Sequence, residues 1–120
     1  MVEETIVIDE RNYYFILYEM YKSHLILISD QDKMGIGNVT LSSPSTIDGF
    51  NSIASSYNLF GTSERLLSKI ISEKASNVLK TPVLLLLFLK NIENEEEIIK
   101  EMISSIKGIL SKIENKNQKT

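Results

Sequence analysis

The feature that most constrains the fold of this chain is an unbroken apolar run at residues 83–89, with the sequence Val-Leu-Leu-Leu-Leu-Phe-Leu. Pro82 precedes the run and the polar pair Lys90-Asn91 follows it. A run this short is typical of a strand buried on both faces. A helix that spans a bilayer would need about 20 apolar residues. The run therefore predicts a central strand with a covering layer on each side, supplied by the rest of the chain or by a partner.

Composition limits the classes of protein to which the chain can belong. With 120 residues, it has the length of one domain, residues 1–120. It contains no cysteine, which excludes disulfides, thiolate catalysis and sulfur-ligated zinc, and fits a reducing compartment. Its net charge of −3 gives no indication of the clustered basic surface that binds nucleic acid. The N-terminus is acidic at Glu3 and Glu4 and no export signal follows, so we expect a cytoplasmic protein without membrane or nucleic-acid partners.

The N-terminal third predicts an antiparallel meander of four strands at residues 5–8, 13–21, 24–29 and 36–41, joined by short polar turns. Gly35 and Gly37 mark the start of the fourth strand. The second strand is apolar at both alternating sets of positions, so we expect both of its faces to be at least half covered. A long polar loop at 42–56, of a kind that is usually functional or mobile, precedes a short fifth strand at 56–60.

The C-terminal half predicts two long amphipathic helices on either side of the apolar run. The first occupies residues 63–79 and ends before Pro82, and the second occupies 95–113, ahead of a polar, frayed tail at 114–120. The predicted fold class is therefore α+β: an antiparallel meander sheet of about five to six strands, packed with two long amphipathic helices in the order β-β-β-β-(β)-α-β-α. The apolar stripe of the second helix adds surface beyond what one sheet can cover, which indicates self-association or partner binding.

Two segments imitate catalytic or metal-binding sequences. His24 is the sole histidine, and Ser23 lies beside it, but neighbouring strand residues point to opposite faces and cannot align as nucleophile and base. Asp30 and Asp32 open a sequence like a calcium loop, but the twelfth position, where a bidentate glutamate belongs, is Leu41. A β-turn is the favoured interpretation of this second segment.

Two further segments have simpler structural explanations. Gly35-Ile36-Gly37 lacks the third glycine and the following helix of a phosphate-binding loop. The glutamates at 93 and 95–97 fit the positive end of a helix dipole better than a metal site. We therefore predict no enzymatic activity and no catalytic, cofactor or metal site.

Five apolar residues are the candidates for contact with a partner protein, because aromatic side chains dominate binding hot spots. They are Tyr14, Tyr18 and Tyr21 in the second strand, and Phe50 and Ile53 in the polar loop. For each tyrosine the alternative is ordinary sheet packing. For Phe50 and Ile53 the alternative is that they pin the loop to the core.

The order of sequence segments across residues 13–109 resembles the order found in a known family. Ser23-His24 leads into an apolar strand, then a polar turn ends in Lys33-Met34-Gly35 before another strand. Leu59-Phe60-Gly61 then precedes an amphipathic helix, a strand and a second helix. This order is similar to that of the third and fourth proteasome assembly chaperones of eukaryotes.

The resemblance implies a small α+β fold whose members form homodimers or heterodimers with a sibling chain. It implies binding to α-type subunits of the 20S proteasome while the α-ring assembles, without ATP and without chemistry. Two other functions stay open on the sequence: a general dimeric scaffold that recruits another cytoplasmic complex, and a small-ligand binder or enzyme that uses His24 or the Asp30/Asp32 turn.

Overall fold

A computed structural model describes residues 1–44, 53–58, 65–90 and 95–118 of the chain. It confirms the α+β class and the predicted order of strands and helices. The elements are β1 (Val2–Ile8), β2 (Arg11–Met20), β3 (Ser23–Ser29), β4 (Asn38–Ser43), β5 (Ile53–Asn58), α1 (Arg65–Leu79), β6 (Val83–Phe88) and α2 (Glu95–Gln118).

The six strands form one mixed sheet in the order β1-β2-β3-β6-β4-β5. The first three strands are the predicted antiparallel meander, but the prediction that β4 continues it is wrong. The apolar strand β6 lies between β3 and β4, parallel to β3 and antiparallel to β4. In that position its backbone is hydrogen-bonded on both sides, as an interior strand requires.

Two-residue turns join the first three strands: the first is shorter than the predicted turn at 9–12, and the second lies one residue before the predicted turn at 22–23. Asp9 and Glu10 connect β1 to β2 with positive φ angles of 50° and 66°, the backbone of a two-residue hairpin loop. Tyr21 and Lys22 connect β2 to β3, and Lys22 has a φ of 53°. These turns fix the register, and with it the face of the sheet to which each side chain points.

Both helices pack on the same face of the sheet. α1 contacts β4, β5, β6 and α2, and α2 contacts β1. The buried side chains on this face and on the helices form one hydrophobic cluster. It comprises Ile6, Ile8, Tyr13, Phe15, Leu17, Ile26, Ile28, Val83, Leu85, Leu87 and Leu89 from the sheet side, and Leu67, Ile71, Ala75, Ile98, Met102, Ile106 and Leu110 from the helices.

Of the two covering layers predicted for residues 83–89, the described part of the chain supplies one, and a layer from a partner stays a prediction. Val83, Leu85, Leu87 and Leu89 are buried under the helices, but Leu84 is 37% exposed. Leu86 and Phe88, on the same side as Leu84, are only half-buried. The same asymmetry occurs in β2, where Tyr18 and Met20 are exposed instead of half covered. Among the described residues, a covering layer lies on one face of the sheet and most of the other face is left uncovered.

Several predicted boundaries also change. β4 begins at Asn38, so Gly35 and Gly37 lie in the preceding loop and not in the strand. The predicted 42–56 loop is shorter, because Ser42 and Ser43 belong to β4 and Ile53 begins β5. α2 continues five residues beyond the predicted end, to Gln118. No helix in the described ranges is both long and apolar enough to cross a membrane.

The contact between α1 and β4 is polar, unlike the rest of the core. Ser68, Ser72 and Ser76 recur every fourth residue of α1 and are fully buried. Ser42 Oγ of β4 donates a hydrogen bond to Ser72 Oγ over 2.6 Å. Small side chains at this spacing let the helix approach the sheet closely, and the Ser42–Ser72 bond pairs two of the hydroxyls that this approach buries.

Candidate functional site: the open face of the sheet

The face of the sheet opposite the helices carries a continuous row of large apolar side chains. Pairing places Tyr18 opposite Leu25, Leu25 opposite Leu84, and Leu84 opposite Leu41, across β2, β3, β6 and β4 in turn. Tyr18, Leu84 and Leu41 are 38%, 37% and 51% exposed. We call these four residues the leucine row.

A second apolar row lies beside the leucine row. Ile16, Leu27, Leu86 and Val39 are paired in the same order across the same four strands, and all are half-buried. We call the two rows together the open face. None of its eight residues carries a charge. A contiguous apolar surface of this kind is a candidate interaction site.

One end of the open face is covered by the loop that follows β3. Gly35 of this loop lies against the ring of Phe88, so closely that a methyl group at Gly35 would be 2.7 Å from Cδ2 of the ring. Hydrogen bonds hold the loop in place: Asp30 Oδ2 accepts from the Lys90 amide over 2.8 Å, and Ser29 Oγ donates to the Lys33 carbonyl over 2.9 Å. The loop that covers this end is therefore fixed to the sheet by specific contacts.

The other end of the open face leads to the β2–β3 turn. Met20 is 54% exposed and Tyr21, at the turn itself, is 87% exposed. The Lys22 ammonium lies 5.4 Å from the centroid of the Tyr21 ring, within range of a cation–π contact. Exposed apolar surface thus extends from the leucine row onto the tip of the hairpin.

The structure brings together three of the five predicted contact residues. Tyr14 and Tyr18 are on the open side of β2, Tyr14 half-buried and Tyr18 exposed, and Tyr21 is at the adjoining turn. Ile53 is the first residue of β5, paired with Ser43, and its side chain lies outside the described part of the chain. Phe50 also lies outside the described residues.

His24 lies on the opposite side of the sheet from the open face. It is buried near the helices, and its Nδ1 is 2.7 Å from Thr81 Oγ1. Burial lowers the pKa of His24, and the Glu19 carboxylate opposes that shift. Ser23 instead donates its hydroxyl hydrogen bond to the Tyr21 carbonyl over 3.1 Å. The two neighbours therefore have separate structural partners.

The Asp30/Asp32 segment lies at the far end of β3 from His24, so the two candidate reactive centres do not meet. The Asp30 carboxylate receives hydrogen bonds from the Lys90 amide and from Gln31 Nε2. Within the described residues, no three His, Cys, Asp or Glu side chains are grouped as metal ligands. The glutamates at 93 and 95–97 have no described side chains.

Sequence reasoning missed the residues that dominate the open face. Leu25, Leu41 and Leu84 were assigned to strands but not to a binding surface. In the sequence, the second strand is the one segment that indicates an apolar open side, because both of its alternating sets of residues are apolar. The leucine run does not indicate which of its residues face the open side, because every position in it is apolar. Comparison with known proteins gives no further assignment, since neither any family model nor any curated protein matches the chain.

Proposed function

We propose that this chain is a non-enzymatic assembly chaperone of the cytoplasm that forms a dimer and binds α-type subunits of the 20S proteasome during assembly of the α-ring. The observation that carries the proposal is the open face, an uncharged apolar surface on a rigid sheet. The class of client comes from the resemblance carried by Ser23-His24, Lys33-Met34-Gly35 and Leu59-Phe60-Gly61.

The open face supports dimerisation through a second sheet. Two sheets stack with their inner side chains interdigitated at a separation of about 10 Å, which suits two rows of leucine, isoleucine and valine. Because the leucine row contains no charge, a second copy or a sibling chain can cover it without repulsion or desolvation of a carboxylate. Such a dimer would place a pair of helices on each outer surface.

A docking function also agrees with how the candidate reactive groups are used. His24 and Asp30 each hold the backbone or a neighbouring side chain in place, through Thr81 and Lys90 respectively. An assembly chaperone needs a preformed surface that binds and later releases its client, and a sheet fixed by short turns provides such a surface without folding on contact.

Native mass spectrometry of the purified chain mixed with individual 20S α-type subunits tests the proposal. We expect a complex with one α-type subunit that contains two copies of the chain, and a weaker complex for the variant Leu41→Glu/Leu84→Glu. The variant Ser104→Glu, on the exposed surface of α2, is the matched control and should bind like the unaltered chain.

Absence of any complex with any α-type subunit at micromolar concentration would overturn the assignment of the client. If an unbiased pull-down then recovers a reproducible partner from outside the proteasome, the general dimeric scaffold becomes the better description. Loss of dimerisation without loss of client binding would separate the two parts of the proposal.

A further inference from the structure

We propose that the free edge of β1 binds an extended, basic segment of a partner protein, which adds to the sheet as a further strand and places one lysine or arginine side chain in a cavity beside Glu3. This inference deepens the proposed docking function, on which it rests, by assigning a second surface and the chemistry of what binds there.

The edge of β1 is available for strand addition. Within the described sheet, β1 pairs with β2 and has no neighbour on its other side. It is seven residues long and contains no proline, so its outer amide and carbonyl groups can pair with an added strand. The side chains of Glu3, Glu4 and Thr5 are exposed, and Val7 is 64% exposed.

A cavity adjoins this edge on the side of the open face. Glu3 is paired with Ile16 and Thr5 with Tyr14, so these four side chains lie on one face of β1 and β2. The loop after β3 supplies the opposite wall. The cavity measures about 420 Å³, within the range of small binding pockets, and is lined by Glu3, Glu4, Thr5, Tyr14, Phe15, Ile16, Asp32 and Met34.

The residues that line the cavity can contact both the aliphatic stem and the cationic group of a lysine or arginine side chain. Ile16 and Met34 are apolar and can contact the aliphatic stem of a lysine or arginine. The Tyr14 ring offers a face to a cation, and Glu3 and Asp32 offer carboxylates. A residue that pairs with Glu3 from an added strand lies on the cavity side, so the basic residue is expected at that position.

The charge along the edge decides between a basic partner and a second copy of the same strand. Glu3, Glu4, Asp9 and Glu10 lie in β1 and its turn, and the one cationic side chain beside them in the sequence is Arg11. Two copies of this edge would bring carboxylates opposite each other, which is unfavourable. An extended segment with basic residues at alternate positions meets the edge with complementary charge, and its association should weaken with added salt.

Titration of the full chain with a synthetic peptide tests the proposal independently of any proteasome subunit. The probe is a peptide of about seven residues, the length of a typical strand, in which lysine alternates with valine and threonine. The control peptides carry glutamate in place of lysine, or proline at the central position. Affinity is measured by fluorescence anisotropy, and the site by amide hydrogen exchange followed by NMR.

We expect the lysine peptide to bind and to slow exchange in residues 2–8, with neither control peptide doing so. Glu3→Gln and Asp32→Asn should each weaken binding about two- to fivefold, the scale of one partly exposed ion pair. Glu101→Gln, which removes a carboxylate from the exposed surface of α2, should leave binding unchanged.

Three results would overturn the proposal: no binding of the lysine peptide, equal binding of the glutamate peptide, or slowed exchange on β3 and β6 without a change in β1. Because the titration uses this chain alone, it can fail while a proteasome complex forms, and it can succeed when no such complex is found.

Discussion

Leu84 of β6 lies directly opposite Leu41 of β4, and both side chains project from the face of the sheet opposite α1 and α2. This pair forms the β6–β4 end of the leucine row and includes two of its three exposed residues. Its position explains how a run of seven apolar residues can belong to a two-layer fold: alternate residues enter the core, and the others form a surface.

The first prediction concerns this pair. Leu41→Glu/Leu84→Glu should convert a dimer to a monomer, because two carboxylates on each copy would be desolvated in the interface. Sedimentation equilibrium measures the change, and circular dichroism checks that the variant stays folded. Ser104→Glu should leave the dimer intact. If the unaltered chain is already monomeric at high concentration, the open face does not mediate self-association.

The second prediction concerns the loop that covers one end of the open face. Gly35→Ala should destabilise the fold by about 1–3 kcal/mol, the usual result of overpacking, because the new methyl group would overlap the Phe88 ring. Urea denaturation gives the change in the free energy of unfolding. A smaller side chain in Phe88→Leu should recover part of the loss in the double variant, and an additive result would contradict direct contact.

The third prediction uses a second glycine with the opposite environment. Gly108 is exposed in α2, and a methyl group added there meets nothing within 4 Å. Gly108→Ala should therefore stabilise the protein by about 1 kcal/mol, because glycine in a helix loses more backbone freedom on folding than alanine. Thermal unfolding measured on the same samples should show a higher midpoint. A lower midpoint would mean that this surface of α2 has a close neighbour in solution.

The fourth prediction concerns pH. Burial lowers the pKa of His24 below its ordinary value of 6.5, so the unfolded chain takes up a proton at a higher pH than the folded chain does. Stability should accordingly be complete above about pH 6.5 and should fall as the pH decreases toward the lowered pKa of the folded state.

Two variants separate the titration of His24 from its hydrogen bond. His24→Gln should flatten the dependence of unfolding free energy on pH between neutral and mildly acidic conditions. Thr81→Val removes the partner of Nδ1 but keeps the titrating ring, so its slope should persist. Denaturant titrations at several pH values provide the measurement, and an unchanged slope in His24→Gln would rule out this residue as the source.

Local sequence patterns predicted the type and order of the elements because those depend on short-range periodicity. The helix stripes that include Ile71 and Met102, and the aromatic alternation around Phe15, are legible in windows of a few residues. The tyrosines of the open face were found for the same reason, since Tyr14 and Tyr18 form the second apolar set of β2.

The sequence could not assign side chains to a face of the sheet where the pattern carried no directional information. In residues 83–89 every position is apolar, so nothing in the run distinguishes Leu85, which enters the core, from Leu84, which is exposed. A one-sided and a two-sided strand have the same sequence here. The sequence therefore did not reveal which face α1 and α2 cover, or that Leu41 and Leu25 share the opposite face.

The sequence by itself determined an α+β chain, its two amphipathic helices and the strand character of the leucine run, because each of these follows from neighbouring residues. Only the tertiary structure decided that β6 lies between β3 and β4, that both helices share one face, and that the β1 edge adjoins an acidic cavity. These features depend on pairing between segments that are far apart in the chain. The free energy of that pairing is summed over the whole sheet, so no single segment of the sequence reveals it.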